Sequence, residues 1–197
     1  MKLKSLIAMC KNRGSLFLYD RVNESGETTE QWLGTGGAAY PLAGLPHMTE
    51  EHLLTLFDIT AKQREAMHFA HTQLTGSRIN HGDADDSEVR LDDLDLTLGY
   101  NGRRIRPYLT SSGPEFMDCA YLAPLSDAGE WLSIYERTTP NGQVYFAAKA
   151  GLLLLGVIMP VRELEEQFAE QLETLAKGLR AAIDAKQDSA GDEQIEI

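Results

Sequence analysis

Leu132-Ser133-Ile134-Tyr135-Glu136-Arg137-Thr138 and Val144-Tyr145-Phe146-Ala147-Ala148 are separated by Pro140-Asn141-Gly142-Gln143. Both flanks are rich in aromatic and β-branched residues, and the Asn-Gly pair between them is a strong turn signal, so residues 131–148 read as a β-hairpin. Lys149-Ala150-Gly151 turns the chain again, into the continuous apolar run from Leu152 to Met159. Such a run has no polar side to show water and predicts a central, buried strand, which Pro160 ends. Three consecutive strands joined by short turns make an antiparallel sheet.

Working outward, Tyr100-Asn101-Gly102-Arg103 carries the same signal. The turn predicts a hairpin in which Leu98 faces Ile105 and Leu94 faces Leu109, with Thr97 opposite Arg106. Leu3, Leu6, Ile7 and Cys10 recur at helical spacing among Lys2, Lys4, Lys11 and Arg13, predicting a helix over 2–12 with a basic outer side, stopped at Gly14. A strand at 16–19 and a turn at 23–26 return the chain to Gln31-Trp32-Leu33. Thr49 caps a short helix, and Thr60 with Gln63 forms a capping box for the next. Beyond Pro160, Leu164, Phe168, Leu172, Leu175, Leu179 and Ile183 mark the stripe of an amphipathic helix over about 162–186.

These features add up to an α+β protein with antiparallel sheets and short helices in two halves, followed by a long C-terminal helix. The expected divisions are 1–75, an acidic linker or loop at 76–90, 91–186, and an acidic tail at 187–197. Net charge is −12 over 197 residues. That balance excludes a surface that grips phosphates all over, though not a basic strip on an acidic body. Residues 83–95 and 162–197 each carry a net −6. The N-terminal apolar run breaks at Lys11, too short for a secretion signal, and the run from Ala150 to Val161 is too short to span a bilayer. The expectation is a cytoplasmic protein with no membrane partner and two buried free thiols, Cys10 and Cys119.

Motifs for chemistry are sparse. Gly34-Thr35-Gly36-Gly37-Ala38-Ala39 has the letters of a dinucleotide fingerprint, but Pro41 stands where the required helix would begin, so a tight turn between strands is expected. His68 and His71 lack a metalloprotease frame, and the Asp83, Asp85, Asp86, Glu88 group lacks the glycine of a calcium loop. No nucleophile elbow or phosphate loop is present. The reading is a non-catalytic protein with no cofactor and no metal; an enzyme using His68 and His71 is the third-ranked alternative.

Tyr121-Leu122-Ala123-Pro124-Leu125, the hairpin at 132–148, and Leu154-Leu155-Gly156-Val157-Ile158-Met159-Pro160-Val161-Arg162 together resemble the C-terminal domain of a bacterial-type DNA sliding clamp. That family has a Tyr-Leu helix followed by strands, the last ending in an Ile-Met-Pro-Met-Arg-like signature. The segment Trp32–Ile59 also resembles proteins encoded in prophages of gut Firmicutes. The resemblance implies helices whose Lys2, Lys4, Lys11 and Arg13 face DNA phosphates without reading bases. It implies a groove for partner peptides bordered by Met159, Pro160, Val161 and Arg162. The implied partners are DNA, a polymerase or another replication protein, and further copies of the chain in a ring, as in a processivity factor of a phage or mobile element. Two departures stand out: the 121–125 helix has no basic residue, and Arg162 opens a long helix where the family ends. The runner-up is an acidic interaction protein that offers carboxylates in place of phosphates.

Overall fold

The computed structural model describes residues 1–74, 78–162 and 164–192, with side chains as far as residue 185. The chain divides into two units, Met1–Pro160 and Val161–Ile197.

The first unit opens with α1 (Leu3–Arg13), which buries Leu6, Ile7, Met9 and Cys10 and ends on Gly14 at φ 64°. Each fully buried apolar side chain contributes roughly 1.5–3 kcal/mol, so this one face holds the helix in place. A meander follows: β1 (Ser15–Val22), β2 (Thr28–Thr35) and β3 (Ala38–Pro41). The short helices α2 (Glu50–Leu56) and α3 (Ala61–Ala66) both begin with capping boxes. The box at Thr60 uses the predicted Gln63, and that at Thr49 uses His52. Next come β4 (His68–Gln73), β5 (Val89–Leu91), β6 (Leu98–Tyr100), β7 (Arg103–Thr110) and β8 (Gly113–Asp118). A 3-10 segment, Cys119–Trp131, leads into a second meander of β9 (Leu132–Thr138), β10 (Val144–Ala150) and β11 (Leu153–Ile158).

Eight strands form one sheet in the order β4-β1-β2-β3-β11-β10-β9-β5; β6, β7 and β8 form a second, antiparallel one. The large sheet repeats itself about its centre. Each half is a helix followed by a three-stranded meander, and the third strands meet antiparallel, Ala39 opposite Val157 and Ala38 opposite Ile158. Antiparallel contact between equivalent strands is what a two-fold repeat requires. The edges depart from the symmetry, since β4 runs parallel to β1 while β5 runs antiparallel to β9. Strands from either side of the expected 76–90 division therefore share a single sheet.

Side-chain alternation sorts the two faces. Leu18, Leu33, Tyr40, Ile158, Phe146 and Ile134 point to the face that receives α1, the 3-10 segment and the small sheet. Trp32, Ala39, Val157, Tyr145 and Ala147 point to the other, where Leu74 and Ile79 pack. A Cβ at Gly34 would overlap the Ala38 carbonyl oxygen, and one at Gly37 would overlap the Tyr121 hydroxyl. The glycine cluster is thus a strand-to-strand turn in close contact with the 3-10 segment.

The Asn101-Gly102 turn forms with both residues at positive φ, and Leu98 does pair with Ile105. The hairpin stops there, which corrects the expected pairs. Leu94 does not reach Leu109, and Thr97 does not reach Arg106; Leu109 pairs with Pro114 and Arg106 with Met117 across β8. The cause is local: the Asp93 carboxylate accepts from the Asp95 amide, and Asp95 sits at φ 51°, turning the chain out of the extended state. At the other hairpin Thr139 and Gln143 close a loop with Gly142 at φ 78°.

The second unit is α4 (Glu166–Asp192). It starts four residues later than expected and runs past 186, into the stretch expected to be tail; residues 193–197 lie outside the described residues. None of the described helices is long and apolar enough to cross a membrane.

Candidate functional site: the helix-bearing face of the sheet

The four cations of α1 do not form one free basic strip. Lys2 pairs with Asp127 at 3.2 Å, both half exposed. Lys11 Nζ donates to the carbonyls of Phe57 at 2.9 Å and Asp58 at 3.4 Å, closing the C-terminal end of α2. Arg13 forms an ion pair with the buried Asp118 and lies 5.4 Å from the centre of the Tyr121 ring. Asp118 also accepts from the Ala120 amide at 2.9 Å, starting the 3-10 segment, so Arg13 ties that segment to α1. Of the four, Lys4 alone is exposed with no partner among the described residues.

Two cations outside the expected set lie close by. Arg103 and Arg104 leave the Asn-Gly turn exposed and line, with Ser5, Ala8 and Asn12 of α1, an open groove of about 620 Å³. Their signal in the sequence is two arginines beside a tight turn, but only the folding of β6 and β7 across the sheet brings them to the helix. With Arg13 neutralised by Asp118, the groove keeps Arg103 and Arg104, which have no ion-pair partner among the described residues. Burial of α1's inner side also pushes the Cys10 thiol up to about 12, which keeps it uncharged. Cys119, expected to be buried, is half-buried at the start of the 3-10 segment.

The expected partner-peptide residues divide. Met159 and Pro160 close the first unit, whereas Val161 and Arg162 begin the second. Met159 donates its amide to Gly37 O at 2.8 Å and lines an apolar cavity of about 150 Å³ with Tyr19, Leu74, Ile79, His81 and Val157. This cavity is on the sheet face opposite the helices. His81 packs edge-on against Trp32 at 4.8 Å between centroids. Burial, with smaller effects from Arg21 and Arg137, pushes its imidazole down to about 4, so it is neutral at physiological pH.

The acidic stretch is bound to the sheet instead of hanging free. Arg137 is completely buried and donates to Glu88 from Nε (2.8 Å) and Nη2 (2.5 Å). It also donates to the carbonyls of Asn80 (3.2 Å), Gly82 (2.9 Å) and Asp83 (3.2 Å). Lys149 reaches the other Glu88 oxygen at 2.6 Å. Asp83 accepts from the Leu154 amide at 2.8 Å. Burial disfavours ionisation of Asp85, but hydrogen bonds from Ser87 and Asn80 outweigh it and hold the carboxyl below its ordinary value. Asp86, Asp92 and Asp95 remain exposed carboxylates.

His68 and His71 fall on β4, three residues apart, so their side chains take opposite faces of the strand and cannot share a metal. His71 Nε2 lies 2.8 Å from Asp20, and His68 packs edge-on against Phe17. Among the described residues, no three His, Cys, Asp or Glu side chains gather as a metal-binding group. The chain matches no protein-family model, no curated protein and no solved structure.

Proposed function

We propose that this chain is a non-catalytic, clamp-like accessory factor for the replication of a phage or mobile element. On this reading it meets nucleic acid by backbone contacts on its helix-bearing face and a replication protein beside Met159. The observation that carries the reading is the repeat of helix and three-stranded meander about the β3–β11 seam, with both helices on one face of the sheet. A repeat of this kind can present two helices side by side to a duplex while its strands join neighbouring copies. The charge available for phosphates is Lys4, Arg103 and Arg104 more than the Lys2, Lys11 and Arg13 expected from the sequence, because those three are held by acceptors of the same chain. Contact would therefore be weak and salt-sensitive, and retention would come from topology.

The test is retention on nicked circular DNA against linear DNA, across a salt series. Circular DNA should be held and linear DNA lost from its ends. The triple substitution Lys4→Ala, Arg103→Ala, Arg104→Ala should lower the log–log salt slope by about 2–3, at about 0.9 for each phosphate that is no longer neutralised. Equal behaviour of the two DNAs, or a triple variant with an unchanged slope, would refute the proposal.

A second reading is favoured by Asp86, Asp92 and Asp95, exposed carboxylates with no side-chain partner among the described residues: an acidic protein that docks a basic protein partner. It predicts that neutralising these three abolishes a protein interaction while DNA retention is unaffected.

A further inference from the structure

The C-terminal unit carries an apolar stripe that α4 leaves facing outward: Leu175, Leu179 and Ile183 are 55%, 56% and 49% exposed. A stripe alone says nothing about what covers it, but two features of this one name an occupant. The first is its spacing. Leu164, Phe168, Leu172, Leu175, Leu179 and Ile183 are separated by four, four, three, four and four residues, a series that reads the same in both directions. Two copies of α4 laid antiparallel, with a two-fold axis between Glu173 and Thr174, match Phe168, Leu172, Leu175 and Leu179 in pairs. Leu172 meets Leu175 of the second copy and Phe168 meets Leu179; Leu164, the counterpart of Ile183 in the spacing, lies before α4 begins. The same register sets Ala169 against Gly178, two small residues that let the backbones approach; a Cβ at Gly178 would meet nothing within 4 Å among the described residues outside its own helix turn.

The second feature is charge. The part of α4 before the axis carries Glu166, Glu170 and Glu173, while the part after it carries Lys177, Arg180 and Lys186 with Asp184, Asp188 and Asp192. Antiparallel pairing sets Glu170 opposite Lys177 and Glu166 beside Arg180. Parallel pairing would set Glu170 and Glu173 against themselves, which like charges disfavour. Within one helix Lys177 pairs with Glu173 at 2.6 Å and Arg180 with Asp184 at 3.3 Å; both pairs are exposed, so an antiparallel neighbour would have to share these cations with Glu173 and Asp184.

We infer that α4 is a self-association helix that joins two copies of this chain as an antiparallel pair through Phe168, Leu172, Leu175 and Leu179. This pairing does not depend on the clamp-like reading, because it uses only the C-terminal unit. Its failure would be read in solution mass, whereas failure of that reading would be read in DNA retention.

The experiment is the solution mass of the full chain by light scattering over a micromolar concentration series, with three variants. The unmodified chain should be dimeric or an even multiple. Leu175→Ala with Leu179→Ala keeps helix propensity, checked by circular dichroism, and should raise the dissociation constant by at least about a hundredfold. Lys177→Glu should weaken the pair by about tenfold, and adding Glu170→Lys should return it to within about threefold of the starting value. A monomer at every concentration, a dimer indifferent to the leucine substitutions, or charge substitutions that add instead of compensating would each overturn the inference.

Discussion

Replacing Arg137 by Met tests whether the acidic loop is part of the folded core. Methionine preserves most of the apolar stem but removes five donated hydrogen bonds, two to Glu88 and three to the carbonyls of Asn80, Gly82 and Asp83. Glu88 keeps Lys149, so it is not left wholly uncompensated. The three carbonyls lose a charged donor in a site that water reaches poorly. Breaking a buried ion pair costs about 3–5 kcal/mol, and the remaining Lys149 interaction places this case near 3 kcal/mol. For a chain of this size that corresponds to a fall in Tm of about 10 °C. Urea and thermal unfolding followed by tryptophan fluorescence read it directly, because Trp32 packs against His81 at the start of the same loop. Arg137→Lys should fall between, restoring charge without the fork. Amides of residues 80–88 should lose hydrogen-exchange protection before the sheet does. A loss below about 1 kcal/mol, with protection of that loop unchanged, would refute the anchoring role assigned to Arg137.

Two further outcomes are expected of the fold. His81 is held neutral down to about 4, against 6.5 in the unfolded chain, so between those values the unfolded state binds more protons. Its contribution is therefore fully present above pH 6.5 and is lost as pH falls towards 4, amounting to about 3 kcal/mol. His81→Phe should flatten the stability curve in that window, and an unchanged slope would show that another group is titrating. Gly34→Ala, which drives a methyl group into the Ala38 carbonyl, should cost about 2 kcal/mol or more in urea unfolding, while Gly99→Ala, which meets open space, should cost less than about 0.5 kcal/mol. Equal effects at these two glycines would contradict the close approach of β2 and β3.

Much of the fold was legible because it depends on local rules. Asn101-Gly102 supplies the positive φ angles of a tight hairpin wherever it stands, and Leu98 opposite Ile105 follows from it. Gly14 ends α1, Thr60 with Gln63 starts α3, and the apolar run before Pro160 becomes a central strand. The same local logic failed at Leu94, where Asp93 captured the Asp95 amide and turned the chain away from its partner strand. Neither β4 nor β8 was expected, since His68–Gln73 and Gly113–Asp118 lack clear apolar alternation and gain their strand state from neighbours.

For the candidate site, the sequence determined which residues carry charge but not which charges remain available. Lys11 and Arg13 look identical to Lys4 in one dimension; the fold brings Phe57 and Asp118 to the first two and, among the described residues, nothing to the third. Arg137 and Glu88 are 49 residues apart, and only the pairing of β5 with β9 brings them together and turns an apparent linker into part of the core. Hairpins, caps and stripes are set by interactions within a few residues and so are written in the sequence. Ion pairs, grooves and the two-fold repeat depend on where distant strands meet, which tertiary structure alone decides.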